Sequence, residues 1–315
     1  MTAFALRRLF HTMIILFIVS FVAFLLIHLT PGDPVIMMLG ENATDQEISA
    51  LRSELWLDRP LVLQYGHWLS NFIQGDFGRS IMYKIPVSTL IAKAFPITFY
   101  IGVLSLIFLN LVGIPAGIVC AVRRGTFLDS VISIFANLGI AIPIFWMAII
   151  GVYTFGLELG WLPIHGFTSP FEDLWLSTKK LIMPVFCMAA VGTASIARQT
   201  RSAMLEVIKQ DYIRTAWSKG LHELRIIWRH VLKNGLIPVV TLEGTVLVRL
   251  AVGGSVLVET VFNIPGMGRM IVTAAFNKDF IVLQACIMVV AIVVAVVNFV
   301  VDIVYGWLDP RIRYD

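Results

Sequence analysis

Few side chains in this sequence could do chemistry, and their spacing argues against most enzyme classes. Cys120, Cys187 and Cys286 each lie in an apolar run and no CxxC occurs; they read as small buried hydrophobes, not as a disulfide framework or metal site. The six histidines are scattered, without metal-ligand spacing. His222-Glu223 lacks the second histidine of a zinc-protease motif, and neither GxxxxGK[ST] nor GxSxG is present, so phosphate-loop and serine-nucleophile chemistry have nothing to carry them. No enzyme activity, cofactor or metal is expected in the isolated chain. The unusual residues are instead three charges, Glu243, Arg249 and Glu259, that interrupt the apolar stretch 235–262.

The elements that must hold those charges are membrane spans. Of the 315 residues, 58% are hydrophobic and only 14% charged, with a mean hydropathy of +0.86. Soluble domains carry roughly 25% charged residues; this chain has too few to cover a water-soluble globule. A span needs about 20 mostly apolar residues at ~1.5 Å each. Six stretches answer, at about 9–29, 95–122, 130–157, 181–197, 235–262 and 280–307. The first follows Arg7 and Arg8 and is too long for a signal-peptide core of roughly 7–15 residues, so it reads as a retained span. The expected fold is all-α, a polytopic membrane protein with six transmembrane helices in a single transmembrane domain over 1–315.

Lys and Arg fix the orientation. Arg7, Arg8, Arg123, Arg124, eight residues between 198 and 233, and Arg311 and Arg313 share one face when there are six crossings. That face is cytoplasmic and holds both termini; five or seven crossings would split the basic segments. No basic block with interleaved aromatics points to nucleic acid. A charge at the bilayer centre costs ~2.5–3.5 kcal/mol or more, so such groups face a bundle interior or a wet path. Arg249 is near the middle of its span. Glu243 is six residues away and points about 120° from it, a poor partner on the same helix. Arg249 either lines a path and attracts a carboxylate or forms a structural ion pair. Glu259 lies near the outer end, as part of an outer gate or snorkelling. Asp129 reads as an N-cap and Asp302 as interfacial.

The outer loop 30–93 is long. Thr44-Asp45-Gln46-Glu47 is a capping box; Ile48, Leu51 and Leu55 follow at helical spacing, and Arg59-Pro60 is the expected stop. Tyr65, Trp68, Leu69 and Phe72 mark a second helix ending at Gly75. Two short surface helices are expected, as a lid on the spans or as a docking surface.

The cytoplasmic loop 198–234 is basic and helical in pattern. Asp211 is placed to cap a short helix, Tyr212 to Lys219, that Gly220 ends in a left-handed conformation. A second helix over 222–233 would bury Leu224, Ile227 and Val231. A short helix held between two spans suits pushing on another protein, or simply solvates the loop.

This loop resembles the EAA-type coupling loop of ABC importer permeases of the dipeptide/oligopeptide/nickel family. The matching residues are Asp211-Tyr212-Ile213-Arg214-Thr215-Ala216, Lys219-Gly220-Leu221 and Arg229-His230-Val231-Leu232-Lys233-Asn234. Pro31-Gly32-Asp33-Pro34, Gly75-Asp76-Phe77-Gly78-Arg79-Ser80, Val258-Glu259-Thr260-Val261-Phe262 with Ile264-Pro265-Gly266-Met267-Gly268-Arg269, and Leu308-Asp309-Pro310-Arg311 follow the same family in order. The long first outer loop is similar to that of the B-type permease of such a pair. Trp217 departs from the pattern. The resemblance implies a bacterial or archaeal cytoplasmic-membrane permease paired with a second permease, two ATPase subunits that bind ATP and magnesium, and an external binding protein. It implies coupling through residues 211–217, Lys219 and Gly220, with Gly220, Gly235 and Pro238 as candidate hinges. Peptide is the expected cargo and a nickel or metal chelate the alternative; an ion-gradient-driven secondary transporter would leave the coupling loop without purpose.

Overall fold

The computed structural model describes residues 2–29, 34–39, 43–54, 56–236, 238–240, 243–244, 246 and 255–308. Helix dominates, and the only β feature among these residues is one bridge between Arg79 and Pro86. Among the described residues, four helices are long and apolar enough to cross a membrane: Phe4–Leu25 within α1 (Thr2–Leu29), α5 (Val87–Val122), α8 (Leu174–Ile208), and Phe280–Val304 within the C-terminal helix. A bent pair passes the same test only when its halves are taken together: α6 (Phe127–Ala141) and α7 (Ile144–Gly151), the latter continuing as a π-helical turn, Val152–Glu158. Part of the stretch expected as another crossing, 235–262, lies outside the described residues.

Three boundaries differ from expectation for local reasons. The stretch 130–157 is not one straight span: it bends by 105°, because Pro143 has no amide to donate and forces Ile142 into an extended conformation (ψ 125°). The stretch 181–197 is the middle of a 35-residue helix. The Asp173 carboxylate accepts the Leu176 amide at its start, and Thr200, Ala203 and Met204 keep one face buried at its end. The loop expected over 198–234 therefore begins after Ile208, not at residue 198. Asp129 is not an N-cap. Thr126 has that position, and Asp129, in the first turn, accepts the Gly125 amide and a two-pronged bond from Arg201 at 3.0 and 2.9 Å.

The chain divides into two compact units. One is built from Ile97–Arg269 and the chain from Val296. Its core runs through Ile101, Leu109, Leu181, Met188, Ile196 and Phe262. Close approach of α5 and α8 depends on Gly113 and Gly117. A Cβ at Gly117 would lie 2.5 Å from both the Ala197 oxygen and the Thr200 Cβ, and one at Gly113 would lie 2.9 Å from the Thr193 oxygen. This is the small-xxx-small contact by which membrane helices gain van der Waals packing.

The other unit comprises Thr2–Pro96 and Met270–Ala295. In it α3 (Asp45–Glu54) opens with the expected capping box. The Thr44 amide and hydroxyl donate to the Glu47 carboxylate at 2.9 and 2.8 Å, and the Glu47 amide donates back to the Thr44 hydroxyl. Those donors hold the Glu47 carboxyl below its ordinary pKa. The helix stops at Glu54, earlier than Arg59-Pro60; Trp56 takes a positive φ of 60° and Pro60 instead precedes α4 (Leu61–Ile73). Helix α4 lies against α1: the Tyr65 ring meets Phe17, Phe21 and Phe24 edge-on, and its hydroxyl pairs with Ser20 at 2.7 Å. The loop after α4 is clamped by Asp279, the residue before the last helix. Its buried carboxylate accepts the Ser80 hydroxyl at 2.5 Å and the Met82 and Val282 amides.

Candidate coupling site

The segment 211–220 folds as α9 (Asp211–Ser218). Its two faces differ sharply. Ile213 is fully buried and Ala216 nearly so. Both sit in a cluster with Ala121 of α5, Met204 of α8, and Ile226, Ile227 and Val231. The opposite face presents Tyr212, 45% exposed, and Trp217, 47% exposed, together with Arg214, Lys219 and Asp211. The Thr215 and Ser218 hydroxyls bond back to the Asp211 and Arg214 carbonyls, which leaves the aromatic and charged groups as the surface a partner would meet.

Asp211 does not cap this helix. Gln210 has the N-cap position, with extended backbone and no side-chain cap bond; Asp211 is the first helical residue. There it complements the helix dipole and makes only a long 3.5 Å pair with Arg214, both side chains largely in solvent, so that pair adds little stability. The far end is firmly closed. Gly220 lies at φ +72°, its amide donates to the Trp217 carbonyl, and the Leu221 amide donates to the Ala216 carbonyl. Those two bonds make a Schellman stop, which only a residue tolerant of positive φ can complete.

Beyond Gly220 the chain forms α10 (Glu223–Ile226), a π turn (Ile227–Val231) and α11 (Leu232–Gly235). Of the expected apolar face, Ile227 and Val231 are buried, joined by Ile226, while Leu224 is exposed. This second segment is tied to α9, since the Asn234 side-chain amide donates to the Tyr212 hydroxyl at 3.0 Å. Gly235 abuts Met204, where a Cβ would sit 3.3 Å from the sulfur. Helix α9 is thus bonded to the segment that follows it and packed on the end of α8.

The three charges of 235–262 have separate fates. Arg249 lies outside the described residues. Glu243 is half-buried on a helical segment, next to Gly244, which approaches Val301 so closely that a Cβ would be 2.4 Å from its Cγ1. Glu259, on α12 (Ser255–Val261), is 1% exposed. Its carboxylate accepts the Thr98 hydroxyl at 2.7 Å and the Arg269 amide at 3.1 Å, while the Thr98 oxygen accepts the Met267 amide at 2.8 Å. Gly266 and Gly268 leave room for it: a Cβ at either would come within 3.0 Å of Glu259 Oε2. The carboxylate therefore stabilises the entry to α13 (Met267–Phe276) as an anion does at any helix N-terminus. Thr98, the Asp129–Arg201 pairing and the Gly113/Gly117 pair were missed by sequence reasoning. Of these only the small-xxx-small spacing is visible in the sequence itself; the other pairings join residues far apart along the chain.

Two family models match the chain: residues 113–314 match the binding-protein-dependent transport system inner membrane component, and residues 1–102 match the N-terminal region of such membrane components. This chain belongs to that family. As a family member it is an integral inner-membrane component of a binding-protein-dependent transport system, not its catalytic subunit. Full-length relatives agree with the assignment. A putative peptide transport system permease protein of Brucella abortus (strain 2308) is 40% identical over 318 residues, covering 100% of both chains. The dipeptide transport system permease protein DppB of Alkalihalophilus pseudofirmus is 37% identical over 334 residues, again covering 100% of both. Among solved structures, a chain of the inward-facing MetNI methionine ABC transporter superposes with a TM-score of 0.57 at 19% identity, over 70% of this chain and 96% of that one; the likeness is one of fold.

Proposed function

We propose that this chain is a permease subunit of an ATP-driven importer of dipeptides or oligopeptides. The supporting observation is that relatives aligned over their whole length are named peptide or dipeptide transport permeases. None of those relatives is named for nickel, so the metal-chelate alternative is the less favoured. On this reading the chain pairs with a second, different permease, and the translocation path lies between the two. Two ATPase subunits on the cytoplasmic side bind ATP and magnesium, an external binding protein delivers cargo, and both termini face the cytoplasm.

The mechanical part follows from the geometry of α9. An ATPase subunit grips the face bearing Tyr212, Arg214, Trp217 and Lys219. Because Ile213 and Ala216 are wedged among residues of α5, α8 and the following segment, α9 cannot slide without carrying them. The Asn234–Tyr212 bond passes the displacement to the next span, and the Gly220 stop keeps the helix from absorbing it by lengthening. Such rigid-body rocking changes which side the path opens to. Glu243 and Arg249 are the path candidates within that span, and Glu259 supports the outer turn from behind.

Uptake of labelled dipeptide and of labelled nickel by cells with and without the chain, the rest of the system being present, tests the proposal. Dipeptide uptake that requires the chain and ATP supports it. Loss of nickel uptake alone would reassign the cargo within the family.

A further inference from the structure

An apolar groove of about 930 Å³ takes no part in coupling. Its walls are residues 100–111 of α5, 147–155 of α7 and the π turn, and 174–187 of α8, with Leu104, Phe108, Met147, Phe155 and Phe186 facing inward. At ~1.5 Å per residue its length is about 17 Å along α5 and about 20 Å along α8. One leaflet of a ~30 Å hydrocarbon core is about 15 Å deep. In the six-crossing topology both stretches start at the outer surface. At the inner end the groove is shut where α5 closes on α8 at Gly113 and Gly117 and where α6 meets α8 at Gly139.

The mouth is chemically different from the groove. Tyr100 and Trp161 line it, and Trp175 stands beside it, 70% exposed; Trp and Tyr favour the depth of lipid headgroups. The Lys179 ammonium sits 5.0 Å over the Trp175 ring. Trp175, Lys179, Ile182 and Phe186 form one stripe of α8 by their helical spacing, and the last two line the groove. Lys179 thus sets a cation on the flank of an apolar slot one leaflet deep, within reach of its outer half, where Leu174 and Thr178 line the wall.

We propose that this groove is a phospholipid site: an outer-leaflet acyl chain lies between α5, α7 and α8, and Lys179 receives the phosphate of an anionic headgroup. A transmembrane helix of a partner subunit would need a furrow across the whole bilayer core, and this one ends about halfway. The test uses the purified complex with phosphatidylglycerol carrying a photoreactive group on its acyl chain. Adducts are expected on residues 104–111 and 181–187. Lys179→Gln should weaken phosphatidylglycerol binding about fivefold and leave phosphatidylcholine binding unchanged. Ile182→Trp, which fills the slot, should remove the adducts from a complex that still elutes as assembled. Absence of adducts on these residues in the unaltered protein overturns the proposal, as does equal weakening of both lipids by Lys179→Gln. Disulfide trapping of Ile182→Cys to the second permease would give the groove to the subunit interface instead.

Discussion

The Thr98 hydroxyl donates to the Glu259 carboxylate at 2.7 Å and accepts the Met267 amide at 2.8 Å, so one side chain of α5 joins the end of α12 to the start of α13. Removing the carboxylate strands the Thr98 hydroxyl and the Arg269 amide in a buried site, at about 1–3 kcal/mol for each unsatisfied group. Glu259→Ala is therefore expected to lower the melting temperature of the purified complex, with Thr98→Val giving a smaller drop. Glu259→Gln, which keeps one acceptor oxygen, should fall between unaltered protein and Glu259→Ala. If Glu259→Gln instead alters uptake at unchanged stability, the carboxylate belongs to the translocation path.

The two faces of α9 should separate stability from coupling. Ile213→Ala empties a fully buried position and is expected to cost about 2–5 kcal/mol, seen as loss of assembled complex. Trp217→Ala removes a half-exposed ring and should change stability by no more than about 0.5 kcal/mol. It should nevertheless reduce uptake and the stimulation of ATP hydrolysis by binding protein. Equal uptake by Trp217→Ala and unaltered cells would remove this ring from the ATPase contact.

Gly117→Ala places a methyl where the nearest atoms are backbone oxygen and a Cβ, neither of which can swing aside. Overpacking of this kind costs about 1–3 kcal/mol, so the variant should assemble poorly. Gly102, on the same helix, has nothing within 4 Å of a built Cβ, and Gly102→Ala should be tolerated or slightly stabilising. Comparing membrane-fraction yield and melting temperature of the two variants isolates the α5–α8 contact from helix propensity.

The capping box at Thr44 and Glu47 predicts a local pH response. The folded-state pKa of Glu47 is depressed by the Thr44 donors. Its contribution is therefore present in full above the ordinary carboxylate pKa and is lost as pH falls through the depressed value. Amide exchange in the first turn of α3, measured against pH and corrected for intrinsic rates, should accelerate at the acid end. Glu47→Gln should move that onset or abolish it; an unchanged profile would mean the cap is not formed.

The sequence is most readable where one local rule decides. Charge-free runs, the Thr44 box and the glycine stop at 220 are all short-range signals. It is least readable where local chemistry is ambiguous or a partner is remote. Pro143 sits in an apolar run that reads equally as a straight or a broken span. Asp211 precedes a helix in the manner of a cap, yet Gln210 occupies that position. In 222–233 the period finds Ile227 and Val231, which are buried, but not Ile226, which takes the buried place expected of Leu224. Glu259 looked like a gate or a snorkelling charge, since nothing near it in the chain announces Thr98, and Asp129 gave no sign of Arg201. Membrane charges are hard to interpret for this reason: their meaning lies in what meets them across the bundle.

The clamp on the loop after α4 also has an order in time. The Ser80 hydroxyl and the Asp279 carboxylate are 199 residues apart in the chain. At roughly 5–20 residues per second of synthesis, Ser80 is made about 10–40 seconds before its partner. During that interval the nascent loop exists without its anchor, and only the arrival of the last helix locks it. A ribosome stalled short of residue 279, or a chain truncated there, would leave the earlier spans in the bilayer with this loop unfastened, which gives quality-control proteases a marker of incomplete synthesis.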